Sequence, residues 1–200
     1  MNSLQHLRAA DPILGRHIDS VGPFTLKVDE ASDLYEALAQ SIVYQQLNGK
    51  AAATIFGRVA ALGKNGFPTP RELLALDDKR LRGAGLSQAK MLAVKDLALH
   101  QHKGLLPSID EARARADDAL IDQLTAVRGI GPWSVHMLLI FRLGREDVMP
   151  ATDYGVRQGF QKVFRTKALP SPKQIEQRAE RWRPYRSIAS WYLWRALDAK

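Results

Sequence analysis

The sequence predicts an all-α protein, and three observations carry that expectation. Apolar residues recur at helical spacing through most of the 200 residues,. The one stretch with strand character, Phe24-Thr25-Leu26-Lys27-Val28, stands alone and has no second strand to pair with, so neither a doubly wound sheet nor a barrel follows,. Between the helical stretches lie glycine- and proline-rich turns,.

The elements follow in chain order. Asp33 precedes a stripe of Leu34, Tyr35, Leu38 and Ile42 and is placed as the N-cap of that helix,. Ala51–Leu62 is alanine-rich and stops at Gly63, after which Gly63-Lys64-Asn65-Gly66-Phe67-Pro68-Thr69-Pro70 is loop,. Further helices are expected near Arg71–Leu76, Ser87–His100, Asp118–Val127, Pro132–Leu143, Tyr154–Phe164, Pro172–Trp182 and Tyr185–Leu197.

Composition narrows the function. Hydrophobic residues make up 46% and charged residues 25%, the balance of an ordered globular chain,. Lys and Arg number 29 against 21 Asp and Glu, a formal net charge of +8 that favours a polyanionic partner, although basic proteins without one are common,. With no cysteine there is no disulfide framework, thiolate zinc site, cysteine-held iron–sulfur cluster or cysteine nucleophile,. The start, Met1-Asn2-Ser3-Leu4-Gln5-His6-Leu7-Arg8, lacks the apolar core of a signal peptide, and no stretch approaches the roughly 18 apolar residues of a membrane span,. The expectation is a soluble cytoplasmic protein with no membrane partner. The five histidines form no metal spacing with nearby acids, so no metal and no cofactor are expected,.

Two segments resemble each other: Leu81-Arg82-Gly83-Ala84-Gly85-Leu86 and Val127-Arg128-Gly129-Ile130-Gly131-Pro132 both read as helix, Gly-x-Gly turn, helix. The first is accounted for as a tight turn that needs glycine. The second is more pointed, because Pro132 suits the first position of a helix. Gly129 and Gly131 would then let a turn aim backbone N–H groups at an anion, aided by the helix dipole. Ser134 could add a hydroxyl, Arg128 and Lys162 could add charge, and Ile130 would anchor the turn from below. Backbone donors suit a nucleic-acid phosphate because they read no sequence. This spacing is the helix-hairpin-helix signature; a plain Gly-Pro turn in a helical bundle is the competing account.

Asp153, in Pro150-Ala151-Thr152-Asp153-Tyr154-Gly155, follows Pro132 by 21 residues. One helix and a return loop could bring it back beside the hairpin helix. Judged locally, Asp153 is an N-cap, and a capping carboxylate can also act, since its N–H donors hold it rigid.

Leu124-Thr125-Ala126-Val127-Arg128-Gly129-Ile130-Gly131-Pro132-Trp133, followed by Val148-Met149-Pro150-Ala151-Thr152-Asp153-Tyr154-Gly155, resembles the helix-hairpin-helix DNA glycosylase superfamily, and within it the 3-methyladenine DNA glycosylase II branch, which removes alkylated purines. The likeness extends to Ala39-Gln40-Ser41-Ile42-Val43-Tyr44-Gln45-Gln46-Leu47 and Ala179-Glu180-Arg181-Trp182-Arg183-Pro184-Tyr185-Arg186-Ser187, so it covers most of the chain. It implies two helical lobes with an active-site cleft between them: one over about residues 35–143 carrying the hairpin, the other from about 1–34 plus 144–200, together a single catalytic unit over 1–200.

The resemblance makes Asp153 the catalytic residue. Breaking an N-glycosidic bond develops positive charge on the deoxyribose, which a carboxylate stabilises while positioning water. An alkylated purine such as 3-methyladenine is already cationic, so it leaves readily and stacks on an aromatic face. Trp133 and Trp194 occupy positions where the family uses aromatic residues, with Tyr154 a third candidate for the base pocket; core packing is the alternative for each ring. Met137 departs from an aromatic position, though soft sulfur can still touch a ring. The base must leave the duplex, and the wedge that fills the gap falls in Gln45-Gln46-Leu47-Asn48, with Gln46 or Leu47 inserting; a helix end capped by Asn48 is the alternative. Lys50 could reach a phosphate one turn on. Strand-cutting members carry a lysine where this chain has Trp133, which implies a monofunctional enzyme using water. The expected partner is double-stranded DNA containing alkylated bases, bound by a monomer. Two rivals remain: a non-enzymatic helix-hairpin-helix DNA-binding module, and a glycosylase of the same fold for deaminated or mispaired bases.

Overall fold

The computed structural model describes residues 2–29 and 33–198. Among them are thirteen α-helices and one 3-10 turn. In chain order the helices are α1 (Ser3–Ala10), α2 (Pro12–Val21), α3 (Leu34–Tyr44), α4 (Gly49–Ala60), α5 (Pro70–Ala75), α6 (Asp78–Gly83), α7 (Gln88–His102), α8 (Ile109–Ala114), α9 (Asp117–Leu124), α10 (Pro132–Phe141), α11 (Tyr154–Phe164), α12 (Pro172–Ala179) and α13 (Arg186–Arg195). None is long and apolar enough to cross a membrane.

The chain divides into two compact units, one from Met1–Glu30 and Leu139–Lys200, the other from Ala31–Leu138. The second break falls inside α10.

The first unit is built around Trp182 and Tyr192, both fully buried, with Leu7, Leu14, Ile18, Val156, Phe160 and Ile175 packed about them. Helices α1 and α2 were not anticipated, yet local chemistry explains both. Asn2 and Gln5 form a reciprocal capping box on α1, and Asp11 caps α2 ahead of Pro12 at its first position,. Phe24–Val28, expected as a strand, has no ladder and is irregular. It is held by side chains instead, with Phe24 edge-on to Trp191 at 5.1 Å between ring centres.

The second unit runs from α3 to the first turns of α10. Its buried residues include Leu38, Ile42, Val59, Leu73, Leu81, Met91, Val94, Leu97, Leu120 and Leu124. Asp33 caps α3 as expected, accepting the Glu36 N–H at 2.8 Å. Helix α9 ends at Leu124, short of the anticipated Val127: Thr125 is its C-cap, and the Val127 N–H bonds three residues back, to Leu124, rather than four. Beyond α9, the anticipated Pro172–Trp182 helix resolves into α12 and a 3-10 turn over Glu180–Trp182. Helix α6 is the helix read ahead of the first Gly-x-Gly turn, capped by Asp77, whereas α8 was not anticipated and starts at a Ser108–Glu111 capping box.

Candidate active site

In the first unit, Asp153 ends the turn that follows α10 and caps α11. Its Oδ1 accepts the Val156 N–H at 2.7 Å and the Trp194 Nε1–H at 2.8 Å. Two donors on one oxygen fix the plane of the carboxylate, while the side chain stays only partly buried.

Trp194 reaches Asp153 from α13, and glycine makes the approach possible. A Cβ on Gly155 would lie 3.1 Å from the Asp153 carboxylate and 3.0 Å from the Trp194 ring. One turn on, a Cβ on Gly159 would lie 2.0 Å from the Leu193 carbonyl oxygen. These glycines, four apart, therefore bring the α11 backbone against α13 at the Asp153–Trp194 contact. Sequence reasoning missed Gly159; its signal was the four-residue spacing from Gly155 on one helix face. Trp194 also meets Phe141, with 5.6 Å between ring centres. Tyr154, the first residue of α11, is 62% exposed. Lys162 lies further along the same helix, on the wall of a separate cavity with Arg16 and Arg195.

The second unit holds the hairpin. Gly129 has left-handed backbone, φ +79°, and a Cβ there would come within 3.0 Å of the Ala93 methyl,. Gly131 does not share that role, contrary to the expectation that both glycines make the turn. Its backbone is not left-handed, a Cβ there would meet no protein atom within 4 Å, and its carbonyl already accepts the Val135 N–H at the start of α10. The lack of a side chain at Gly131 thus leaves room for something outside the protein. Ile130 is buried beneath the turn, and the exposed Arg128 donates its backbone N–H to Asp96 at 2.8 Å. Ser134 is buried too, its hydroxyl accepting from Gln45 at 3.3 Å.

Trp133, 42% exposed on the first turn of α10, lines a cavity of about 560 Å³ with Met137, Ser41, Tyr44, Gln45, Gln46 and Leu47. Trp133, Met137, Gln46 and Leu47 are thereby gathered on one cavity, and Tyr44 and Ser41 are additions that the sequence did not single out. Gln46 takes left-handed backbone, φ +56°, and Leu47 is 39% exposed. Asn48 caps α4 through the Ala51 N–H, so the capping role and a protruding loop coexist. Lys50 is exposed in the first turn of α4. Among the described residues, no three His, Asp or Glu side chains stand close enough together to hold a metal ion.

A helical chain with this hairpin, an aromatic-lined cavity beside it and a capping aspartate bound to a tryptophan is of the helix-hairpin-helix class. Residues 39–184 match the family described as HhH-GPD superfamily base excision DNA repair protein, and the chain belongs to that family. It is 38% identical over 192 residues to DNA-3-methyladenine glycosylase 1 of Schizosaccharomyces pombe, covering 95% of this chain and 84% of that protein. A solved structure of the S. pombe 3-methyladenine DNA glycosylase in complex with abasic DNA superposes with a TM-score of 0.87 at 36% identity, over 98% of this chain and 96% of the other. A DNA-3-methyladenine glycosidase from Bacillus halodurans superposes with a TM-score of 0.88 at 30% identity, over 100% of this chain and 90% of the other.

Proposed function

We propose that this protein is a monofunctional DNA glycosylase that releases alkylated purines, of the 3-methyladenine and 7-methylguanine type, from double-stranded DNA. The observation that carries the reading is the Asp153 carboxylate, partly exposed yet held by Val156 and Trp194. The names of the relatives point the same way, among them a DNA-3-methyladenine glycosylase 2 from Escherichia coli that is 28% identical over 178 residues.

In this reading the residues divide the work. The hairpin turn at Gly129–Gly131 and the start of α10 take a backbone phosphate, assisted by Arg128 and Lys50. Ile130 and Ser134 support the turn from inside. Gln46 or Leu47 fills the gap that the extruded base leaves in the stack. The cationic base stacks on an aromatic face, for which Trp133 beside Met137 is the candidate in the second unit and Trp194 and Tyr154 are candidates in the first. Asp153 stabilises the positive charge that develops on the deoxyribose as the N-glycosidic bond opens, and orients the water that attacks the anomeric carbon. The leaving base takes the bonding electron pair. Because it departs as a neutral purine from a cationic one, no general acid is required. Trp133 stands where strand-cutting relatives would carry a lysine amine, so the product is an abasic site in an intact strand.

The test is incubation of the purified protein with DNA methylated by a simple alkylating agent, followed by chromatography of the released bases. Free 3-methyladenine or 7-methylguanine is expected, with strand breaks only after alkaline treatment. DNA that retains all its methylated bases would overturn the proposal. Faster release of neutral hypoxanthine than of 7-methylguanine would shift it to a glycosylase for deaminated bases.

A further inference from the structure

Helix α7 starts at the first Gly-x-Gly segment, and it supports both features assigned to DNA in the second unit. From its first turn, the Lys90 Nζ donates to the Val43 carbonyl at 2.7 Å and to the Gln45 carbonyl at 2.6 Å. These are carbonyls at the C-terminal end of α3, where the helix itself supplies no donors. One turn further, Ala93 is the residue on which Gly129 rests, and at the next step Asp96 accepts the Arg128 N–H. Lys90, Ala93 and Asp96 are spaced by three, so successive members are neighbours along α7. The loop and the hairpin are also tied directly, since the Gln45 side chain donates to the Gly129 carbonyl at 2.9 Å.

We infer that Lys90 is a positioning residue for base extrusion: with Gln45, it holds the Gln46–Leu47 loop in the shape and register that insertion into DNA needs. This rests on the glycosylase reading above. The structural reason is that the loop is strained. Gln46 occupies left-handed backbone, which a residue with a side chain adopts only when its surroundings hold it there,. Lys90 supplies that hold by binding the carbonyls on both sides of Tyr44, and its charge suits the negative end of the α3 dipole. Lys90 is partly buried, and that burial pushes its ammonium below its ordinary value. Leu47 and Gln46 themselves stay exposed, free of the anchoring duty. A loop already in its inserting shape avoids the ordering that binding otherwise demands.

The experiment compares two substrates and two variants. One substrate is a duplex with 7-methylguanine opposite cytosine and 2-aminopurine as its neighbour; the other carries the same lesion in a one-nucleotide bulge, where little stacking has to be broken. Lys90→Met should lower excision from the duplex about tenfold, the worth of a charge-assisted hydrogen bond, and slow the 2-aminopurine fluorescence rise by a similar factor. Excision from the bulge should stay within about twofold of wild type, because unstacking is already done. Lys90→Arg should restore most of the duplex rate. Equal losses on both substrates, or no loss on the duplex, would overturn the role given to Lys90 while leaving the wild-type activity in place. Wild-type protein that releases base from neither substrate would instead sink the glycosylase reading on which this role depends.

Discussion

Two aspartates in the first unit have the same local wiring and opposite surroundings. Asp11 caps α2 and Asp153 caps α11, and each accepts an indole N–H from a tryptophan far along the chain, Trp182 for Asp11 and Trp194 for Asp153. Asp11 is fully buried and is gripped by the Arg178 guanidinium through Nε at 2.8 Å and Nη2 at 2.9 Å. Burial pushes its carboxyl up, but the hydrogen bonds and charge of Arg178, with help from Leu14 and Trp182, outweigh that and hold it below the ordinary value,. Asp153 is only partly buried, and the tryptophan it binds is itself partly exposed. Capping thus says little about function. A sealed carboxylate matched by a cation ties α2 to α12, whereas a fixed carboxylate at the surface can meet a developing positive charge.

The largest effect that would test this contrast is at Asp153. Asp153→Asn keeps a side-chain oxygen for the Val156 N–H, so thermal unfolding should barely move. Base release from methylated DNA should fall by about 10²–10⁴, the range for losing a general base or a charge-stabilising group. Release at the full rate with the fold intact would reduce Asp153 to a cap and favour a DNA-binding module without chemistry.

Asp11→Asn should do the reverse. It removes the negative partner of Arg178 in a buried setting, and a loss of about 2–4 kcal/mol in urea unfolding is expected, below the full range for buried pairs because Arg178 is 27% exposed,. Activity per folded molecule should be unchanged. The pH dependence has a defined sign. A carboxyl whose folded value is depressed contributes its stability above the unfolded value, near 3.8, and loses it as pH falls through the folded value,. Wild-type stability should therefore decline below about pH 4, and the Asp11→Asn curve should be flatter there. Identical slopes for the two proteins would show that Asp11 is not the group responsible.

How far these features can be read from sequence depends on how local their causes are. The bounds of α11 and its cap at Asp153 were legible because cap and helix are adjacent in the chain. Helices α1 and α2 carry equally local signals in Asn2–Gln5 and Asp11-Pro12, which hydrophobic periodicity alone passes over. Phe24–Val28 misled because β-branched and aromatic residues also suit an extended segment packed by side chains. Trp133, Met137, Gln46 and Leu47, singled out from the hairpin and the family likeness, line one cavity. The contacts that set the geometry were not legible: Trp194 to Asp153 spans 41 residues, Lys90 to Gln45 spans 45, and Gly159 matters only because α13 lies against it. No local pattern names the partner in such a pairing, even where, as in the Gly155–Gly159 spacing, it marks one side of it.

The smallest and sharpest comparison is between the two indoles. Trp182→Phe and Trp194→Phe each delete one N–H donor and keep an aromatic ring. At Trp182, the Asp11 oxygen still has the Arg178 Nε donor, so the expected loss is about 1 kcal/mol of stability, with no change in base release,. At Trp194, the lost donor is one that holds the Asp153 Oδ1 alongside the Val156 N–H, so the carboxylate is fixed less firmly. A fall in kcat of about fivefold with little change in KM is expected, as for an interaction that serves the transition state rather than ground-state binding. If Trp194→Phe raised KM alone, the indole would be acting as a stacking surface for the base, and its N–H would not be what orients Asp153.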